Sequence, residues 1–218
     1  YPFSANPQEE NPARGYIVSA NFQPLSPAGI EIPGYYNLAD RGQQLDRQLS
    51  DASVKWNLKN SQALQLGTAT GYAQRVLKPL LPVLREVVTD PGERKLVEQL
   101  AQWKGDYPLD STAATLFNQF LYSLTEATMR DKLGDSFFDA MLTTRVIDAA
   151  LPRLAASPDS LWWDNRSTAR TETRADTVKV AWQASIAHLK ATLGDDPGQW
   201  RWGVAHTWPL NHRQGGQT

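Results

Sequence analysis

The sequence has 218 residues, of which 41% are hydrophobic, with 22 Lys plus Arg against 23 Asp plus Glu and no cysteine. That hydrophobic content suffices for a packed core, and a net charge of −1 implies no field for nucleic acid or an anionic membrane. Disulfides, thiolate chemistry and cysteine metal sites are excluded, and no run approaches the roughly 20 apolar residues needed to cross a bilayer.

The opening YPFSANPQEENP has neither a basic n-region nor an apolar h-region, and Tyr1 stands where a Met would start a nascent chain. The closing Arg213-Gln214-Gly215-Gly216-Gln217-Thr218 completes no element. Both ends predict a processed product or an excised piece. Pro2, Pro7 and Pro12 make the first dozen residues extended coil. Tyr16 to Ala20 then reads as a strand, with Tyr16, Val18 and Ala20 on one face and Ile17, Ser19 and Asn21 on the other. Pro24, Pro27, Gly29, Pro33 and Gly34 mark residues 23–34 as loop.

From about Leu38 the pattern turns helical. Val76, Leu77, Leu80, Leu81, Leu84, Val87 and Val88 form an apolar stripe that Pro79 and Pro82 should kink or split in two. Asp90-Pro91-Gly92 ends it, and a further helix follows from about Glu93 to Trp103. The clearest helix covers Thr112 to Lys132, with Ser111 as N-cap, Gly134 as stop, and Leu116, Phe117, Phe120, Leu121 and Leu124 as its inner face. Another is expected over Phe137 to Leu154 on Met141, Leu142, Val146, Ile147 and Leu151. A last one spans about Ala175 to Leu193 on Val178, Trp182, Ile186, Leu189 and Leu193. The chain therefore divides into extended, strand and loop segments over 1–37, helices over 38–198, and strand or coil over 199–218.

On composition alone Asn21 is a turn residue, since Asn tolerates left-handed backbone and bonds to nearby amides. The wider pattern gives it a second reading. Asn11-Pro12-x-x-Gly15-Tyr16-Ile17-x-x-x-Asn21, then Ala39-Asp40-Arg41, Trp162-Trp163-Asp164, and finally Trp200-Arg201-Trp202-Gly203-x-x-His206 with His212 beyond, together resemble the later part of the β chain of the penicillin acylase family of N-terminal-nucleophile hydrolases. The resemblance covers essentially the whole chain. It implies an α+β fold, part of an αββα sandwich to which this piece adds mostly helix and a few antiparallel strands near its ends. It also implies an enzyme that hydrolyses linear amide C–N bonds, of β-lactam side chains or of N-acyl homoserine lactones, in the periplasm or outside the cell.

The family's nucleophile is a serine at the β-chain N-terminus, with its own α-amine as base; an α-amine with a pKa of about 8 can accept the hydroxyl proton at neutral pH. The resemblance assigns the oxyanion-hole asparagine to Asn21 and the active-site arginine to Arg41. One such donor is typically worth about 3 kcal/mol of barrier. Tyr1 is not that serine, and Ser4 cannot replace it because it has no free α-amine. Isolated, the chain is therefore expected to be inactive. A second departure is Phe22, where the family often carries another asparagine. Some family members bind calcium, but no residues here map to that site, and no other cofactor is implied. The expected partners are the remaining α and β segments of a parent acylase and a small-molecule amide.

Other features have simpler readings. His206 and His212 lack a closely spaced third metal ligand unless His188 or a carboxylate folds nearby. Arg166, Arg170 and Arg174, interleaved with Asp164, Glu172 and Asp176, read as one solvated helical face. Among the eight Trp residues, Trp56, Trp103 and Trp182 fall in helical patterns and are expected in the core. No phosphate loop, serine elbow or metal-binding helix motif is present. The rival to an acylase is a non-catalytic helical interaction or glycan-binding module, whose Trp residues would line an exposed groove.

Overall fold

The computed structural model describes residues 2–208. Among these residues nine α-helices follow one another: α1 (Asp40–Leu49), α2 (Leu58–Gln65), α3 (Tyr72–Val87), α4 (Pro91–Gln102), α5 (Thr112–Leu133), α6 (Asp135–Leu142), α7 (Val146–Ala155), α8 (Arg174–Leu193) and α9 (Trp202–Ala205). Helix α5 is the axis of the bundle and packs most extensively against α8, while α3 packs on α8, α4 and α7. Its sequence explains the central position: five consecutive residues, Ala113 to Phe117, are buried, so the first turns of the helix are enclosed on every side. Its buried hydroxyls bond within the helix, Thr125 and Thr128 donating to the carbonyls of Leu121 and Leu124 at 2.7 Å.

Side-chain caps set several of the helix boundaries. The Ser111 hydroxyl accepts the Ala114 N–H at 3.1 Å, and Gly134 ends α5 at φ 74°. Asp90 caps α4 by accepting the Glu93 N–H at 2.9 Å, and Thr173 with Asp176 forms a capping box that opens α8. Phe117, Phe120 and Leu124 on α5, and Val178, Trp182, Ile186 and Leu189 on α8, supply the core between them. Four tryptophans are buried, and each places its indole N–H: Trp103 on the Asp106 carbonyl, Trp163 on Ser157, Trp182 on Glu93 and Trp200 on Gly194, all between 2.7 and 2.8 Å.

Several expectations are corrected. The stripe from Val76 to Val88 is not split: α3 runs as one helix through Pro79 and Pro82. An interior proline costs about 3 kcal/mol. Complete burial of Val76, Leu77, Leu80 and Leu84 offsets this, at roughly 1.5–3 kcal/mol for each side chain. The helix expected over Phe137 to Leu154 is instead two, α6 and α7, because the Thr143 and Thr144 hydroxyls bond back to the carbonyls of Ala140 and Met141 at 2.7 Å and end α6. Leu142 and Val146, expected inside, are 38% and 56% exposed at that break. Trp56 lies outside the helices and is 39% exposed, so it is not core. Arg166 and Arg170 sit in the loop before α8 and share no helical face with Arg174.

The few antiparallel strands are not seen among the described residues. The stretch Tyr16 to Asn21 is extended and alternates as expected, with Tyr16, Val18 and Ala20 partly buried and Ile17, Ser19 and Asn21 exposed. A strand needs a ladder, and the backbone of this stretch makes one bond to a distant segment, the Asn37 N–H donating to the Asn21 carbonyl at 2.7 Å. At the other end, Trp202 to Ala205 is a helical turn and not strand or coil, while residues 209–218, including His212, lie outside the described residues.

The C-terminal Trp-x-Trp-Gly-x-x-His pattern is a clasp. The Trp202 and Gly203 N–H groups donate to the carbonyls of Ser111 and Leu109 at 3.1 and 2.8 Å. A side chain at position 203 would come within 3.1 Å of the Leu109 Cβ, which explains the glycine. His206 stacks on Trp202 with centroids 4.4 Å apart, and Trp202 meets Tyr107 edge-on at 5.1 Å. The pattern ties the end of the chain to the loop that precedes α5.

Candidate functional site

Asn21 closes the extended stretch and Arg41 is the second residue of α1, and the two side chains meet: Arg41 Nη2 donates to Asn21 Oδ1. Two further contacts join the same segments. Tyr16 Oη donates to Asp46 Oδ1 at 2.8 Å, a bond that raises the phenol's pKa. The Phe22 ring lies against Gly42, the buried residue of α1, so closely that a Cβ at position 42 would stand 2.6 Å from Phe22 Cδ1. The departure from the family pattern at Phe22 is thus matched by a glycine twenty residues on. Extended stretch and α1 form one unit, with Asn21 and Arg41 side by side on its surface.

The chemistry of the contact orients the amide. Arginine has five donors and no acceptor, so the end of Asn21 that faces it must be the carbonyl oxygen. The Nδ2 amino group, with two N–H donors, points away from Arg41. A cationic donor on the amide oxygen also polarises the group and strengthens those N–H donors. Arg41 enters none of the ion pairs found among the described residues.

Both side chains border a cleft of about 670 Å³. One wall is Asn21 with Tyr35 to Leu38, Asp40 and Arg41; the opposite wall is Thr70, Tyr72 and the start of α7 at Arg145, Val146, Asp148 and Ala149. The Tyr72 hydroxyl is buried and has no hydrogen-bond partner among the described residues. Burial, and next the negative charge of Asp148, push its pKa well above the usual phenol value, so it stays protonated. Asp40 accepts from Arg75 of α3 at 2.8 Å, which joins α1 to the bundle. A second cleft of about 700 Å³ lies along α1, lined by Ile17, Phe22, Gly42 and Asp46 among others. No tryptophan lines either cleft.

Of the residues singled out in the sequence, Asn21 and Arg41 come together, whereas His206 is committed to the Trp202 clasp and borders neither cleft. Among the described residues no three His, Asp or Glu side chains gather as a metal site. Asp40, Tyr72, Arg75, Arg145 and Asp148 were not singled out as site residues. Asp40 alone had a local signal, its place beside Arg41; the others are brought in by the packing of α3 and α7.

No described helix is long and apolar enough to cross a membrane. The family model described as "Penicillin amidase" matches residues 1–217. The chain is also 25% identical over 230 aligned positions to the acyl-homoserine lactone acylase QuiP of Pseudomonas fluorescens, an alignment that covers 97% of this chain. The chain spans 28% of the length of that relative. By the match across nearly its whole length, the chain belongs to the penicillin amidase family.

Proposed function

We propose that this chain is the C-terminal portion of the β chain of an acylase, and that it supplies Asn21 as oxyanion donor and Arg41 as the cation that orients it. The parent reaction is hydrolysis of a linear amide. An N-terminal serine on another segment attacks the amide carbonyl, its hydroxyl proton passes to its own α-amine, and the carbonyl oxygen becomes an oxyanion. The same proton leaves with the departing amine, and water then releases the acid from the acyl-serine. Asn21 Nδ2 stabilises the oxyanion in both halves.

The observation that carries this reading is the Arg41 hydrogen bond to Asn21 Oδ1, which turns both amide N–H groups away from Arg41 at the border of a cleft, with no partner among the described residues. The family supports amide hydrolysis, and the relative's printed activity favours N-acyl homoserine lactones over β-lactam side chains. By the same resemblance the complete enzyme is an αββα sandwich, in the periplasm or outside the cell, in which the extended stretch ending at Asn21 gains its strand partners from other segments. The binding-module alternative has less behind it, because Asn21 is exposed and the tryptophans do not line the clefts.

Two assays test the proposal. The isolated chain, given a phenylacetyl or long-acyl chromogenic anilide, should show no turnover, since Asn21 and Arg41 stabilise charge and cannot attack a carbonyl. In the complete acylase, Asn21→Ala should lower kcat far more than it raises KM. Turnover by the isolated chain at the rate of an intact acylase, or an unchanged kcat in the variant, would overturn it.

A further inference from the structure

Among the described residues, the hydrogen bond from Arg75 Nη2 to Asp40 Oδ2, at 2.8 Å, is the one such bond that ties residues 2–66 to the helices from α3 onward. The other bonds of the N-terminal segment stay within it, including Tyr16 to Asp46, Asn37 to Asn21 and Arg41 to Asn21. Helix α1 packs broadly against none of the other helices, and Gly42 is its one buried residue.

The local chemistry of Asp40 is unusual for its position. It is the first residue of α1, where a carboxylate would ordinarily serve the exposed N–H groups of the first turn. This helix has no side-chain cap at its N-terminus. The Asp40 carboxylate instead turns to Arg75, thirty-five residues along the chain, and its side chain is 12% exposed in that pairing. Arg75 in turn is set over the ring of Tyr72, its guanidinium carbon 5.7 Å from the centroid, so the guanidinium rests against α3 as it reaches across.

We infer that Arg75 is a positioning residue for amide hydrolysis: through Asp40 it fixes the unit that carries Asn21 and Arg41 against the bundle wall of the cleft. The inference rests on the reading of Asn21 and Arg41 given above. Asn21 and Arg41 are joined to each other by their own hydrogen bond and by Phe22 on Gly42, so they move together. What Arg75 controls is where that unit stands relative to Tyr72, Arg145 and Asp148 across the cleft. A displacement of about 1 Å in such a relationship can cost on the order of a hundredfold in rate.

The test is a double-mutant cycle in the complete acylase, with kcat and KM measured per active site after titration of the competent enzyme. Arg75→Gln and Asp40→Asn should each lower kcat/KM by about tenfold, and the double variant should be no worse than the poorer single, because the two act through one bond. Arg75→Lys, which keeps the charge on a shorter arm, should recover part of the loss. A purely structural role would lower the yield of competent enzyme and leave kcat/KM per site unchanged. The inference is overturned if both singles keep kcat/KM within twofold, if the losses multiply in the double variant, or if Arg75→Lys is as poor as Arg75→Gln. Asn21→Ala, assayed alongside, separates the two claims: if it abolishes turnover while the Arg75 and Asp40 variants keep kcat/KM within twofold, the tether alone fails; if it leaves turnover intact, the active-site reading fails and the tether with it.

Discussion

The carbonyl end of the Asn21 amide faces Arg41, and its amino end faces away. Replacing the amide by a carboxylate separates the two functions of this side chain. Asn21→Asp keeps an acceptor for Arg41, now as a charged pair, and removes both N–H donors. In the complete acylase kcat should fall by about 10²–10³, the loss expected for one oxyanion donor, with KM changed only a few-fold. Arg41→Met should cost less, about tenfold, because the donor remains but is free to rotate. Steady-state kinetics on an anilide substrate check both. Near-normal turnover in Asn21→Asp would mean that the N–H donors play no part in the chemistry.

Phe22 occupies the space that a side chain at position 42 would need, with Cδ1 2.6 Å from the place of a Cβ. A helix-interior Gly→Ala change gains up to about 1 kcal/mol from propensity, whereas overpacking a filled site costs about 1–3 kcal/mol. Gly42→Val adds more bulk and forgoes much of the propensity gain, so it should force Phe22, and Asn21 beside it, away from Arg41. The expected outcome in the complete acylase is a fall in kcat of tenfold or more. Activity within twofold of the parent would show that Phe22 does not hold Asn21.

How far the sequence revealed this arrangement depends on the range of each signal. Caps are local, so Ser111 and Gly134 marked the two ends of α5 correctly. Asn21 and Arg41 could be paired because their neighbours form a recognisable pattern. The same local reasoning went too far in allowing a split at Pro79 and Pro82, where burial of four apolar side chains outweighs a break that the prolines alone would impose. It failed again at Thr143 and Thr144, whose hydroxyls compete for carbonyls that a continuous helix would use. The strand near Asn21 was read from alternation, which the exposure pattern follows, but a ladder depends on a neighbour that alternation does not provide. The far wall of the cleft was invisible for a related reason: Tyr72, Arg145 and Asp148 meet Asn21 through the packing of whole helices.

Tyr72 offers a prediction of the opposite sign from most core substitutions. Its hydroxyl is buried without a partner among the described residues, a state that costs about 1–3 kcal/mol. Tyr72→Phe removes the orphaned group and keeps the ring, including the face on which the Arg75 guanidinium rests. Thermal unfolding should therefore show an unchanged or higher midpoint, by a few degrees at most. A midpoint lowered by several degrees would mean that the hydroxyl has a partner in solution.

The loop before α8 is held by carboxylates and should be the part of the molecule most sensitive to acid. Glu172 accepts the Thr168 hydroxyl at 2.7 Å and the Asn165 N–H at 2.9 Å, and its own N–H donates to Asp164 Oδ1 at 3.0 Å. Asp131 of α5 takes the Arg166 N–H at 2.8 Å. The bonds from Thr168, and next from Asn165, hold the Glu172 carboxyl below the usual range, and the Thr173 side chain does the same for Asp176. A carboxyl whose folded pKa is depressed stabilises the fold fully above its unfolded value, about 4.3 for Glu and 3.9 for Asp, and loses that contribution as pH falls through the lower folded value. Hydrogen exchange of the amides from 164 to 172 should accordingly rise relative to α5 as pH drops from about 5 toward 3, after correction for intrinsic rates. Glu172→Gln should raise exchange in this loop already at pH 6 and flatten its dependence on pH. Equal pH dependence in parent and variant would place the acid sensitivity elsewhere.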